Sequence, residues 1–355
     1  MRVAFTICSN NYLAQAHILV RSINLESPNV KVIIGLCDDL SDIIDYTSIG
    51  DCEFIALKDI PDLDLMELSA KYDIIELNTS IKATLFKHIY SVYTKTTAIC
   101  YFDPDIKVYS GINFLFDKLE TSSILITPHA LEPIPLDNLE PREYLFQLYG
   151  LFNLGFLGLN MMWSGATKFL DWWEERIIKM ATTEVDKGFF QDQRWINFIP
   201  IYYEKVEILK HAGCNVAPWN LHERVITKQT DGNSLCVNGE SLVFFHFSNY
   251  KIEFTDKFSN YYNRYTPSNA SGLVLKLYYD YKNELEQLGV QYYRSIAPAY
   301  GRPVVSKPLT TASKKTVKAL LKQIIIMVVP PVIAYSANKI RNKIRILQIQ
   351  DGKSA

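Results

Sequence analysis

The chain has 355 residues, 48% of them hydrophobic and 21% charged, which is enough apolar side chain for one large α/β domain or two small ones. The net charge of -1 hides a split: from Gly301 to Ala355 eleven Lys and Arg face the single acid Asp351, so that segment is about +10 and the remainder about -11. Six cysteines with no CxxC pair argue against a disulfide framework or a zinc site, and no run of about 20 apolar residues offers an ordinary transmembrane helix.

Taken in chain order, Val3 to Cys8 is a short β-branched run that predicts a buried strand. Ser9-Asn10-Asn11 offers N-cap chemistry, and Tyr12 to Leu25 has helical spacing, with Leu13, Ala16, Ile18, Leu19, Val20 and Ile23 on one face. Val30 to Cys37 predicts a second strand ending at Asp38-Asp39, and Cys52 to Leu57 a third. Ile81 to Tyr93 is a helix candidate that feeds a strand over Ala98 to Phe102. Ile124 to Thr127 and Leu154 to Asn160 read as further strands. Ala166 to Met180 is an amphipathic helix carrying Trp172 and Trp173. Gln191 to Phe198 reads as one more helix, and Leu242 to Phe247 as a strand holding His246. Strands alternating with helices predict an α/β fold with a mainly parallel sheet. The expected organisation is a body over 1–295, a proline-marked linker over 296–311 and a basic tail over 312–355.

In open sheets of this kind, ligands bind beyond the carboxyl ends of the strands. The polar residues to examine are then Ser9-Asn10, Asp38-Asp39, Asp103-Asp105 and His246. The stretch AICYFDPDIKVY is the most telling, because it ends a β-prone run on two acids one residue apart. Pro104 favours a turn that aims both carboxylates at one spot. They repel each other unless a hard divalent cation sits between them, and Mg²⁺ or Mn²⁺ with oxygen ligands suits. Such an ion keeps positions open for phosphates. The bland alternative is a solvated turn. His246, closing the run VFFHFSNY, is either a satisfied core histidine or a third ligand through a neutral imidazole.

Five blocks in order resemble the metal-dependent glycosyltransferases of the GT-A fold, nearest the glycogenin- and lipopolysaccharide-galactosyltransferase-like group (family 8). They are YFDPD, FNLGFLGLN from Phe152, QDQRWIN from Gln191, WNLHER from Trp219 and FFHFSNY from Phe244. The resemblance spans about Val3 to Tyr262. It implies that Asp103, Asp105 and His246 hold Mn²⁺ or Mg²⁺, with Asp103 also near the donor ribose. It implies that Thr6, Ser9, Asn10 and Asp38 take the nucleobase and ribose of a nucleotide-sugar donor, UDP-linked by analogy. Asn153 and Asp192 match residues near the donor sugar. Lys82, with Lys87 as competitor, matches a basic residue that reaches the donor phosphates. The pattern departs at two points. The glycine after the histidine is missing, leaving only Lys251 for the diphosphate, and Arg194 stands where a second acid is usual. Asp192 also reads as a helix N-terminal acid, Lys82 as an exposed lysine, and Trp219, Asn220, His129 and Glu132 as lining for an acceptor or, for Trp219, as core.

The implied reaction moves a hexose-type sugar to a hydroxyl, with positive charge developing on the anomeric carbon and negative charge on the departing diphosphate. Resemblance implies retention; inversion requires a carboxylate at the acceptor hydroxyl, for which Glu132 and Asp192 are the candidates. Ala312 to Ile349 interleaves basic and apolar residues, with Pro330-Pro331 breaking an apolar core too short to span a bilayer. It predicts either an interfacial helix pair on an anionic leaflet or helices packed on the acidic body. With no secretory leader read after Met1, the expected location is the cytoplasmic face of the inner membrane, with a glycan or lipid-linked acceptor of surface polysaccharide or lipopolysaccharide assembly and no nucleic-acid partner. Two other readings stay open: a non-catalytic nucleotide- or sugar-binding scaffold, and a haloacid-dehalogenase-like phosphatase with Asp103 as nucleophile. The second lacks the usual residue two places after the second acid, since Val108 sits three places on.

Overall fold

The apolar run after Arg2 folds as β1 (Arg2–Cys8), buried from Val3 onward. In the computed structural model, which describes residues 1–229, 232 and 234–303, it is followed by β2 (Lys31–Leu36), β3 (Glu53–Ala56), β4 (Ala98–Phe102), β5 (Ile106–Val108), β6 (Ile124–Pro128) and β7 (Phe152–Asn160). Then come β8 (Val206–Ile208), β9 (Ile226–Lys228), β10 (Leu235–Val237), β11 (Glu240–Ser241) and β12 (Phe244–His246). Seven strands form the central sheet in the order β3-β2-β1-β4-β7-β6-β8. β3, β2, β1 and β4 run parallel, as do β6 and β8, while β7 is antiparallel to both its neighbours. The mainly parallel α/β sheet matches the expectation. The reversed direction of β7 was not legible, because a strand buried on both faces reads as the same apolar run whichever way it points.

That reversal decides where the site lies. The carboxyl ends of β1, β2 and β4 meet the amino end of β7 on one edge, where Asp103 N–H donates to Gly155 O at 2.8 Å. Helices cover both faces of the sheet. One face is packed by the helix Leu13–Glu26 and the helix Gly272–Gln287, which buries Val274, Leu277, Tyr278, Tyr281 and Leu285. The other is packed by the helix Lys82–Val92 and the helix Ala166–Met180, whose Phe169 and Trp173 rings stack 5.7 Å apart, with Phe86 at 6.3 Å from Trp173.

Several expectations need correction. Ser9 caps nothing with its side chain; its hydroxyl donates to Cys37 O at 3.0 Å and ties the exits of β1 and β2 together. The helix expected over Gln191 to Phe198 is a 3₁₀ turn, Gln193–Phe198, preceded by Gln191 at φ 50°. The strand expected over Leu242 to Phe247 contracts to β12, because its ladder partner β5 has only three residues and on its other side it meets the chain in a single bridge at Val216. The helix Gly272–Gln287 went unread, since tyrosines supply part of its apolar stripe. The described residues cluster as one compact unit that runs through residue 303. Residues 299–302, within the expected linker, are hydrogen-bonded to the body: Ala299 N–H donates to Asp38 Oδ1 at 2.9 Å, Tyr300 Oη to Asp39 Oδ1 at 3.1 Å, Gly301 N–H to Ser69 Oγ at 2.8 Å and Arg302 N–H to Tyr72 O at 2.8 Å. The expected membrane-associating tail over 312–355 lies outside the described residues. Among the described residues no helix is long and apolar enough to cross a membrane. All six cysteines are free thiols.

Candidate active site

Asp103 follows β4 and Asp105 precedes β5, with Pro104 in a turn closed by Ile106 N–H donating to Asp103 O at 3.1 Å. β12 pairs antiparallel with β5 and sets His246 opposite Ile106; Phe247 N–H then donates to Asp105 O at 2.9 Å. The local chain thus brings a residue 141 positions away beside the acids. His246 Nε2 lies 3.0 Å from Asp105 Oδ1 and 3.7 Å from Asp103 Oδ2. One oxygen from each acid and one ring nitrogen lie within 4.8 Å of one another. Burial opposes charge on the ring, but Asp105, and Asp103 behind it, outweigh that and hold the imidazole above its usual range. Burial also works against the Asp105 carboxylate, yet His246 keeps its carboxyl below the usual value. Two carboxylate oxygens and an imidazole nitrogen form a donor set that fits Mn²⁺ or Mg²⁺. Gly155 makes the fit sterically possible: a Cβ there would lie 2.5 Å from His246 Cε1 and 2.6 Å from Nδ1.

Lys82 is the first residue of its helix and is 2% exposed, not the solvated lysine that the sequence left open. Its Nζ lies 2.8 Å from Asp192 Oδ2, 3.5 Å from Asp103 Oδ1 and 4.1 Å from the Tyr101 ring centroid, and donates to Leu154 O at 3.1 Å. An ammonium has three hydrogens, and these partners use them. Burial disfavours the ammonium, but Asp192 and Asp103 reverse that and raise it above its ordinary value. Burial pushes the Asp192 carboxyl up to about 6 in spite of Lys82. Asp192 stands at the N-cap position of the 3₁₀ turn Gln193–Phe198, where its side chain makes no capping hydrogen bond and instead pairs with Lys82. Lys87, the competitor, points elsewhere and pairs with Asp171 at 2.8 Å and Glu174 at 2.7 Å.

Asn153 belongs to a buried polar network at the start of β7. Its Oδ1 accepts from Gly155 N–H and Asn215 Nδ2, both at 3.0 Å, and its Nδ2 donates to Gln193 Oε1 at 3.3 Å. His129 stacks on Phe146, 4.6 Å between centroids, and burial pushes its pKa down to about 4, so it is neutral at pH 7. Trp219 is 1% exposed and stands edge-on to His246 at 5.1 Å, and Asn220 is buried with both Nδ2 hydrogens given to carbonyls. Both belong to the packing behind the site and not to an acceptor groove. Glu132 is exposed, and its N–H donates to Glu223.

The expected base-and-ribose residues cluster at the ends of β1 and β2. Asn10 N–H donates to Asp38 Oδ2 at 3.0 Å, and Asp39 N–H to Asp38 Oδ1 at 3.0 Å. With Ala299 N–H added, Asp38 already accepts three backbone hydrogens. Thr6 is fully buried within β1. Lys251 is exposed and has no ion pair among the described residues. Sequence reasoning missed Tyr101, Tyr12, Gln193, Asn215 and Gly155. Tyr101 was legible in principle, since it sits two residues before Asp103 on the same strand face.

No family model matches the chain. It is 23% identical over 249 residues to the uncharacterized protein YfnF of Bacillus subtilis (strain 168), covering 70% of this chain and 81% of that protein. It is 22% identical over 251 residues to the uncharacterized protein YfnD of the same organism, covering 70% and 77%. Among solved structures it is similar to the galactosyltransferase LgtC in complex with donor and acceptor sugar analogs, at 17% identity and a TM-score of 0.46, over 81% of this chain and 96% of that one.

Proposed function

We propose that this chain is a GT-A-type glycosyltransferase that moves a hexose-type sugar from a nucleotide-sugar, UDP-linked, to a glycan or lipid-linked acceptor. The observation that carries the reading is the convergence of Asp103, Asp105 and His246 at the sheet edge where open α/β folds bind ligands. A divalent ion held there would neutralise charge on the departing diphosphate. The chain's own residues supply the rest. Asp103 and Asp105 would hold the ion with His246. Lys82 works from beneath, offsetting the acids and fixing Asp192 at 2.8 Å. Asn153 and Asp192 would face the donor sugar, Ser9, Asn10 and Asp38 would floor the base side, and Lys251, exposed and without an ion pair among the described residues, is the cation assigned to the diphosphate. Such preorganised charge is among the largest contributions to catalysis. Retention of configuration, surface polysaccharide or lipopolysaccharide assembly, and docking of 312–355 on the cytoplasmic face of an inner membrane belong to the same proposal. They rest on the sequence resemblance and on the charge of the tail.

The test is calorimetric titration of the purified protein with UDP, GDP, CDP and their sugar conjugates, with and without Mn²⁺. Metal-dependent binding of one nucleotide, lost in Asp105→Ala, is the expected result. Binding of no nucleotide under either condition would overturn the proposal.

A further inference from the structure

We propose that Tyr101 and Tyr12 are the positioning residues of the acid pair, each holding one carboxylate oxygen so that the other is turned to His246. The inference rests on the metal reading above and goes beyond it by assigning two residues outside the ligand set. Tyr101 Oη lies 2.5 Å from Asp103 Oδ1, and it is the other oxygen, Oδ2, that lies toward His246 Nε2. Tyr12 Oη lies 3.4 Å from Asp105 Oδ2, and again the other oxygen, Oδ1, faces His246 at 3.0 Å. An ionised carboxylate only accepts hydrogen bonds, so both hydroxyls donate.

The two tyrosines come from separate places in the fold. Tyr101 lies on β4, and Tyr12 in the turn Asn10–Tyr12 between β1 and the first helix. Their agreement in splitting each acid the same way is what a generic core aromatic would not produce. Tyr101 is held from both sides, with the Phe5 ring at 5.1 Å and Lys82 Nζ at 4.1 Å from its centroid. Its hydroxyl therefore has a fixed origin from which to aim Asp103. Lys82 Nζ lies 3.5 Å from the same Asp103 Oδ1, so without the Tyr101 hydroxyl that oxygen keeps one longer contact in place of two, and without that of Tyr12 the Asp105 side chain keeps only His246. Partners of this kind, one step beyond the ligands, set both the orientation and the strength of a cation site.

The experiment measures Mn²⁺ binding to the full chain by the loss of the free-ion electron paramagnetic resonance signal, alongside the thermal unfolding midpoint. Tyr101→Phe and Tyr12→Phe are each expected to fold with a midpoint near that of the parent and to bind Mn²⁺ about 10-fold more weakly, and the double variant more weakly still. Folded variants with parental affinity would overturn the assignment while leaving the metal reading in place. A parent chain that takes up no Mn²⁺ would overturn both. Should Tyr101→Phe fail to fold, Tyr12→Phe decides the matter, since that ring is half-buried and loses only a hydroxyl.

Discussion

Gly155 has no side chain, and His246 occupies the space one would fill. The residue sits on β7, where Asn153 Oδ1 accepts its N–H and its carbonyl accepts from Asp103 N–H. A Cβ built there meets the imidazole at 2.5 Å and Asn153 Oδ1 at 2.8 Å. The imidazole is rigid, so relief requires moving β12 or turning His246 out. Gly155→Ala is therefore expected to leave the sheet folded and to weaken Mn²⁺ binding by about 10-fold or more, since it displaces a ligand outright. Calorimetry would check this, and unchanged affinity in a folded variant would refute it. Lys82 and Lys87 show the same dependence on surroundings. They are alike in the sequence, five residues apart, yet the first is sealed between Asp192 and Asp103 and the second rides a surface cluster with Asp171 and Glu174.

At the scale of elements, the site depends on how the helix Lys82–Val92 is pressed to the sheet, because Lys82 is its first residue. The helix Ala166–Met180 does the pressing. Trp173 is fully buried, stacked with Phe169 and tilted against Phe86. Surface contacts join the same two helices through Lys87 and Glu174 at 2.7 Å and Thr84 and Glu174 at 2.7 Å. Burial outweighs the ion pair: Trp173→Ala is expected to cost about 3–5 kcal/mol, and Lys87→Ala under about 1 kcal/mol, since that pair is solvent-screened. Urea unfolding of both variants would compare them, and a larger loss for Lys87→Ala would reverse the ranking. The second helix was legible to the residue, Ala166 to Met180, because its apolar side chains recur at helical spacing. The 3₁₀ turn Gln193–Phe198 was read as an α-helix because its apolar spacing over six residues fits either.

Over the whole unit, the chain returns at residue 299 to the exit of β2. Residues 299–302 hydrogen-bond to Asp38 and Asp39 at the exit of β2 and to Ser69 and Tyr72, and the Tyr300 ring is 9% exposed. A chain ending after residue 296 loses that ring's burial and four hydrogen bonds that a chain ending after residue 303 keeps. The shorter form is expected to be less stable by about 3–5 kcal/mol, taking about 2 kcal/mol for the ring and about 1 for each of several bonds, partly offset by water. The denaturation midpoint should fall with little change in slope. Equal midpoints would mean that this strap only rests on the body. Its donation to Asp38 also explains why an acid expected to meet a nucleobase is occupied by backbone hydrogens.

Legible in the sequence were β1 to β4, β6, β7 and the strand holding His246, the helices over Tyr12 to Leu25, Ile81 to Tyr93 and Ala166 to Met180, and the pairing of Asp103 with Asp105. Periodicity and a two-residue spacing are local properties, and a turn at Pro104 needs nothing from afar. The sequence also marked His246, Asn153 and Asp192 through the order of five motifs along the chain, and Lys82 through the stretch NTSIK ahead of the acid pair. Only the tertiary structure decided that β7 runs backwards, that β12 lays His246 across from Ile106, and that Lys82 is buried against Asp192. Only it made Tyr101 more than one apolar residue in a strand. The reason is physical: strand direction, burial and the partner of a charge are set by contacts between residues tens to hundreds of positions apart, and no short window of sequence contains both sides of such a contact.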